Sequence, residues 1–347
     1  MEKIKWGIIG PGNIANNFAD GLKSSYSGQL VAIASKSEDR RKNFGDKYDI
    51  HSDFRFDSYE DIINSEHIDA IYISTPHNLH AEWTIKAAGK GKHVLCEKPG
   101  AVNLNEGKKI IEAVKEAGVF YMEGFMYRCH PQIPKLLEII KNKTIGEIES
   151  IETSFGYDTG KTIPESRIFN KELTGGAILD VGLYPISFSR LISGVATGEI
   201  FLEPNFINAE GRIGDTGVDE VAHANLEFKN GIKAKVSTAI RESMKNNAII
   251  LGSEGTIELP DPWMPGRNGG PYHAKIIINK NGQEEVIELK GPEHLFFFEA
   301  ELASQSIAKE KIQPPHPAMT WEDTLGNLKA LDTWREIINY KLPQDEI

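Results

Sequence analysis

Through the first third of the chain, short apolar runs alternate with amphipathic stretches. Lys5-Trp6-Gly7-Ile8-Ile9-Gly10 reads as a buried strand, and residues 14–22 carry apolar positions at helical spacing. A second strand over 29–34 leads into a charged helix over 38–47, and strands over 69–74 and 93–96 flank a helix over 81–90. A helix over 104–117 and a strand over 119–122 continue the alternation. Strands that are apolar along their length and separated by helices predict a parallel sheet covered on both faces. That α/β arrangement, doubly wound, binds its ligands beyond the carboxyl ends of the strands.

After about Gly124 the pattern changes. Helices over 134–141 and 177–192 surround a strand-rich segment. Strands over 221–228 and 232–239 flank Asn230-Gly231, and strands over 275–279 and 284–289 flank Asn281-Gly282. Asn-Gly between alternating apolar runs is a strong hairpin signal, so a largely antiparallel open sheet is expected here. Helices over 295–309 and 321–338 close the chain. The expected division is a dinucleotide-binding Rossmann domain over 1–123 and an α+β domain over 124–347 for substrate binding and oligomerisation, the last helix able to pack back on the first domain. A length of 347 residues suits two domains.

Charge narrows the class of partner. With 39 Lys and Arg against 50 Asp and Glu, the formal charge is -11, which repels phosphate backbones and anionic lipid. The densest basic run, Arg40-Arg41-Lys42, sits among Glu38, Asp39 and Asp46. Neither a nucleic-acid nor a membrane partner is expected, and no apolar run approaches the roughly 20 residues of a membrane helix. The chain passes straight from its N-terminus into a strand-like run, so no signal peptide is expected, and its two cysteines cannot build a disulfide framework. A cytoplasmic location is expected. Cys96, Cys129, His77, His80 and His130 form no compact metal-ligand motif, and no metal is expected.

Gly10-Pro11-Gly12-Asn13-Ile14-Ala15 matches G-x-G-x-x-A between a strand and a helix. Gly10 permits the tight turn, Gly12 lets a pyrophosphate approach the backbone, and Ala15 lets the helix pack on the sheet. The N–H groups of Asn13 and Ile14 at the helix start would meet the phosphates. An acid about 20 residues after the glycines would hydrogen-bond the ribose of NAD. This strand instead ends Ala34-Ser35-Lys36-Ser37 with Arg40 a turn later. Ser35, Lys36 and Arg40 can hold a 2′-phosphate, so NADP is expected, with NAD possible.

Two further constellations suggest chemistry. Glu97-Lys98-Pro99 follows a strand end, where Lys98 would meet a ligand, although an isolated Lys there reads better as a surface residue paired with Glu97. Gly175-Gly176-Ala177-Ile178-Leu179-Asp180-Val181-Gly182-Leu183-Tyr184-Pro185 reads as a glycine-led helix with Asp180 and Tyr184 spaced i, i+4 on one face. Tyr184 reads equally as a core aromatic. Thr75-Pro76, His77 and His80 follow another strand end, where they would border a nicotinamide ribose, and His80 reads equally as a helix-start residue. Tyr127, Arg128, His130, Asp158 and Arg167 are within reach of a substrate or are ordinary junction packing.

Taken together, the G-x-G-x-x-A turn, Thr75-Pro76 with His77 and His80, Glu97-Lys98-Pro99 and the 175–182 helix resemble the Gfo/Idh/MocA oxidoreductases across essentially the whole chain. Tyr184-Pro185 with Arg167 upstream resembles the branch of dimeric dihydrodiol dehydrogenases, xylose dehydrogenases and glucose–fructose oxidoreductase. Thr174 departs from relatives that often have a third glycine there. The resemblance implies hydride transfer between nicotinamide C4 and a hydroxyl or carbonyl carbon of a sugar, polyol or vicinal diol. It implies Tyr184 as general acid/base, Lys98 favouring the phenolate and polarising the substrate oxygen, and Asp180 orienting substrate or Lys98. Glu97 and Lys98 would border the cofactor, while Lys98, Tyr127, Arg128, Arg167, Asp180 and Tyr184 would border a small carbohydrate or diol substrate. The resemblance also implies a homodimer or higher homo-oligomer. Two other readings within it are a redox-neutral glycosidase with bound NAD(P) and an NADP-sensing regulator without turnover.

Overall fold

The computed structural model describes residues 2–266 and 271–346. Its first part runs β1 (Ile4–Ile9), α1 (Asn13–Lys23), β2 (Gly28–Ala34), α2 (Glu38–Lys47), β3 (Arg55–Phe56), α3 (Tyr59–Asn64), β4 (Ala70–Ile73), α4 (His80–Ala88), β5 (His93–Glu97), α5 (Leu104–Ala117) and β6 (Tyr121–Gly124). The six strands are all parallel, in the order β3-β2-β1-β4-β5-β6. Successive residues enter opposite cores. Trp6, Ile8, Tyr72 and Leu95 pack on one side, and Ile9, Ile71, Ile73, Val94 and Cys96 on the other. Both faces are covered, as uninterrupted apolar strands require. The strand order reverses beside β1, which opens a crevice above the carboxyl ends of β1 and β4.

The second part runs α6 (Met126–Cys129), α7 (Gln132–Lys141), β7 (Ile148–Gly156), a π-helical turn (Ile178–Gly182), α8 (Leu183–Val195), β8 (Pro204–Ile213), β9 (Asp219–Phe228), β10 (Lys233–Ala239), β11 (Ala248–Gly252), β12 (Gly255–Leu259), β13 (Tyr272–Lys280), β14 (Gln283–Gly291), α9 (Leu295–Ala308) and α10 (Trp321–Ile337). Its eight-stranded sheet has the order β14-β13-β12-β11-β7-β10-β9-β8. All neighbours are antiparallel except β7 and β10. Both Asn-Gly pairs close hairpins, and at the second Asn281 and Gly282 hold φ +53° and +75°, both positive as a two-residue hairpin turn favours.

Several details depart from the sequence pattern. Strand β6 starts later than expected because Gly118, at φ +65°, first ends α5, and Val119 N–H donates back to the Val114 carbonyl. Strand β3 and helix α3 carry too few apolar residues to show as elements. The expected 177–192 helix is a π-helical turn followed by α8, and α8 is buried along its whole length. Among the described residues only 171–195 is long and apolar enough by composition to cross a membrane, and its apolar 18-residue window is wholly buried. Helix α9 returns to the first sheet: Phe18 of α1 stacks on Tyr72, and Trp6 Nε1 donates to Ser304 Oγ at 2.9 Å.

Candidate active site

The turn after β1 has the form a pyrophosphate requires. Helices α2, α3 and α5 are capped by Ser37, Ser58 and Asn103, whereas α1 starts at Gly12 with no side-chain cap. The unpaired N–H groups of its first turn are therefore left to a ligand. A Cβ on Gly12 would meet nothing within 4 Å, while one on Gly10, at φ +90°, would stand 3.0 Å from the Ser74 carbonyl oxygen. Ala15 is fully buried under the sheet. At the end of β2, Ser35 is buried and its Oγ accepts from Ser37 N–H at 3.2 Å. Lys36 and Arg40 are exposed beside it, Lys36 Nζ lying 5.7 Å from the centre of the Tyr59 ring. These residues fit a dinucleotide, with exposed cations where a 2′-phosphate would lie.

Across the crevice, Asp180 gathers the other polar groups. Lys98 Nζ, at the end of β5, donates to the Asp180 carbonyl at 2.5 Å and lies 3.9 Å from Asp180 Oδ1. Arg167 Nη2 donates to Oδ1 at 2.9 Å, and the Tyr157 hydroxyl donates to Oδ2. Burial alone would push the Asp180 carboxyl up, but the Lys98 and Arg167 charges, helped by the Tyr157 hydroxyl, outweigh it and hold the group well below the usual carboxylate range. Burial lowers the Lys98 pKa, with Asp180 opposing. His77 is buried; Arg167 Nη1 lies 3.0 Å from its Nε2 and the Thr174 carbonyl 3.3 Å from its Nδ1. A neutral ring with its proton on Nδ1 satisfies both contacts, and burial and Arg167 keep the ring neutral.

The helix carrying Asp180 is itself held from β9. Asp219 is fully buried, and its Oδ2 accepts from Ile178 N–H at 2.8 Å. Gly176, at φ +108°, is required there because a Cβ would stand 2.0 Å from Asp219 Oδ1. Thr174 holds φ +57°, which explains why glycine is at ease at that position.

Tyr184 is buried among Phe125, Tyr127, Phe155 and Trp263, with ring centroids 5.3–5.9 Å away. Its hydroxyl donates to Met126 Sδ at 3.3 Å. The Lys98 ammonium lies 5.4 Å from the ring centre, so it sits over the ring rather than on the phenol oxygen. The expected lowering of the phenol pKa is thereby corrected: burial, reinforced by Glu97 and Glu299, pushes it well above its ordinary value. Lys98 and Tyr184 nonetheless line one cavity of about 320 Å³ with Ile14, Met126, Phe155, Tyr157, Val181, Asn246 and Met264.

Four expected contacts are corrected by burial. Arg128 is 1% exposed and sends its nitrogens to Asp323, Ser187 and the Pro317 carbonyl. Asp323 also accepts from Arg190 Nη1 at 2.5 Å, so Arg128 belongs to an interior ion cluster. The Tyr127 hydroxyl donates to Ser187 Oγ at 3.0 Å, leaving only its ring near the site. Glu97 turns inward to accept from the Tyr72 hydroxyl, and burial raises its pKa. His80 has both ring nitrogens 2.8 Å from carbonyl oxygens, of Pro99 and Thr75. It ties the Thr75-Pro76 turn to the Lys98-Pro99 loop. Burial lowers its pKa to about 4 against the pull of both carbonyls. Asp158 pairs with Arg241, and His130 packs against Tyr272 and Phe298. Tyr157, Asn246, Met264 and Asp219 carried no motif, and only the fold brings them here.

A doubly wound sheet with an uncapped glycine turn, facing a pocket on a second sheet, is the arrangement of a Rossmann-type dinucleotide-binding protein. The chain belongs to the Gfo/Idh/MocA oxidoreductase family: its NAD-binding Rossmann-fold model matches residues 4–125 and its C-terminal-domain model residues 133–258. The chain is similar to trans-1,2-dihydrobenzene-1,2-diol dehydrogenase of Mus musculus, 28% identical over 99% of both chains. To the protein of that name in Xenopus tropicalis it is 34% identical, over 82% of this chain and 81% of the other. Among solved structures it resembles KijD10, a 3-ketoreductase from Actinomadura kijaniata in complex with TDP-benzene and NADP, at a TM-score of 0.83 and 26% identity over 97% and 98% of the two chains.

Proposed function

We propose that the protein is an NADP-preferring dehydrogenase or reductase that acts on a CH–OH group of a vicinal diol, sugar or polyol. The observation that carries this reading is the cavity shared by Lys98, Tyr184 and the first turn of the phosphate-binding helix at Ile14. When bound, the dinucleotide supplies the hydride acceptor or donor. In reduction Tyr184 gives its phenol proton to the substrate oxygen and becomes phenolate, in oxidation that phenolate takes the hydroxyl proton back, and the Lys98 ammonium steadies negative charge on the substrate oxygen. Arg167 and Tyr157 fix the Asp180 carboxylate, and Asp180 fixes Lys98. Apolar walls of Phe155, Met126, Val181 and Met264 exclude water and favour a compact ring over an extended polyol. The curated relatives named as diol dehydrogenases support the same substrate class. Lys36 and Arg40, with no acid at the end of β2, support NADP.

Residues 1–123 would bind the cofactor and 124–347 the substrate. The outer face of the second sheet, with Ile207, Leu251 and Val286 exposed, supports a homodimer formed there. The test is titration with NADPH and NADH, followed by absorbance at 340 nm with cyclic diols and sugars. Selective NADPH binding and substrate-dependent NADPH formation are expected. Product formation with no net absorbance change points instead to a redox-neutral enzyme, and binding without product points to a sensor.

A further inference from the structure

We infer that Tyr157 is the residue that recognises a second hydroxyl, on the carbon next to the reacting one. The inference rests on the dehydrogenase reading of this site. Tyr157 follows the last residue of β7, where its N–H donates to the Ala239 carbonyl at 3.0 Å. It lines the same cavity as Lys98 and Tyr184. Its hydroxyl hydrogen is committed to Asp180 Oδ2. Because Lys98 and Arg167 keep Asp180 ionised, that carboxylate cannot return a proton. The Tyr157 oxygen therefore faces the cavity as a fixed acceptor.

Polarity then sorts the substrate's two oxygens. The reacting oxygen alternates between hydroxyl and carbonyl, and it meets groups that can donate, the Lys98 ammonium and the Tyr184 hydroxyl. The neighbouring oxygen remains a hydroxyl in both the diol and the hydroxyketone. It can donate in either state, which is what a fixed acceptor requires. Asn246 completes the subsite: its Oδ1 accepts from Gly156 N–H at 2.7 Å, leaving its amide hydrogens for the same hydroxyl. An analogue without that hydroxyl leaves Tyr157 unpaired in a partly apolar pocket, the arrangement that discriminates most strongly.

The test compares the substrate that the wild type turns over with the analogue lacking the adjacent hydroxyl, such as trans-1,2-cyclohexanediol against cyclohexanol. The expected result for Tyr157→Phe is a fall of about 10-fold or more in the preference for the dihydroxy compound, mainly through KM. Its NADPH affinity stays at wild-type level, and any loss that comes from loosening Asp180 falls equally on both compounds, so the ratio of their kcat/KM values reads the subsite alone. A Tyr157→Phe enzyme that loses activity equally on both compounds overturns the inference, because Tyr157 then serves only to hold Asp180. An unchanged preference overturns it too. Absence of any NADP-linked turnover in the wild type overturns the dehydrogenase reading itself, and the inference with it.

Discussion

Replacing Tyr184 by Phe removes a single oxygen, and the surroundings of that oxygen separate chemistry from packing. The aromatic ring is held by four other aromatic side chains, all of which Phe can still touch. The hydroxyl's protein contact is the thioether of Met126 at 3.3 Å, a weak acceptor. Losing it should cost no more than about 1 kcal/mol, a shift of roughly 2–4 °C in Tm for a domain of this size. Neither the Gly10-to-Ala15 turn nor the Ser35-Lys36 corner touches Tyr184, so NADPH binding should be unchanged. The loss should fall on kcat. Removing a positioned acid/base group costs about 10²–10⁴-fold, or roughly 2.7–5.4 kcal/mol of transition-state stabilisation. Rate at 340 nm, a melting curve and a fluorescence titration on the same preparation measure all three. A variant that turns over near the wild-type rate would refute the assignment, since the phenol could then be only a core aromatic. A variant that melts far lower would refute the packing argument instead.

Three other outcomes follow from the same geometry. Replacing both Lys36 and Arg40 by Ala should weaken NADPH binding by about 10–100-fold, the range of one or two charge-assisted hydrogen bonds, and leave NADH binding nearly unchanged in parallel titrations. Glu123 is buried, accepting from Gly100 N–H and the Thr324 hydroxyl at 2.8 Å, and burial raises its pKa to about 7. Because the folded value lies above the unfolded one, its stability contribution is present below about pH 4.5 and is lost as pH rises through about 7. Between pH 5 and 8 the wild type should therefore lose on the order of 2–3 kcal/mol relative to Glu123→Gln, read from chemical melts at each pH. A constant difference would contradict it. Arg128→Met should destabilise by about 3–5 kcal/mol, because it leaves part of the buried Asp323 charge uncompensated. Turnover per folded molecule should stay near wild type; a raised KM without loss of stability would restore Arg128 as a substrate ligand.

Much of the scaffold can be read in the linear pattern, for local reasons. Helices α2 and α5 run over the predicted residues because Ser37 and Asn103 cap their starts, and in α5 the apolar positions recur at helical spacing. The phosphate turn was legible because Gly10 and Gly12 act through backbone freedom and the absence of a side chain, and residue identity alone reports both. The Asn281-Gly282 hairpin was legible for the same reason. Local spacing misled where a side chain's environment comes from elsewhere in the chain. Asp180 lies within a π-helical turn and Tyr184 in the α-helix that follows it, so they serve two neighbourhoods, one ionic and one aromatic. Arg128 looked like a cation at a strand end until Asp323, nearly two hundred positions later, drew it inside.

The sequence by itself determined the alternation of strands and helices, the uncapped glycine turn and the basic corner after β2, because each depends on neighbours a few residues apart. The tertiary structure alone decided which polar groups share the cavity. Tyr157 meets Asp180 only because β7 pairs with β10, and Lys98 meets Asp180 only because the two sheets face each other. It also set their charges, since burial and ion pairing act through space. That is why the Tyr184 phenol is pushed up while Asp180 is held down, though the two stand four residues apart.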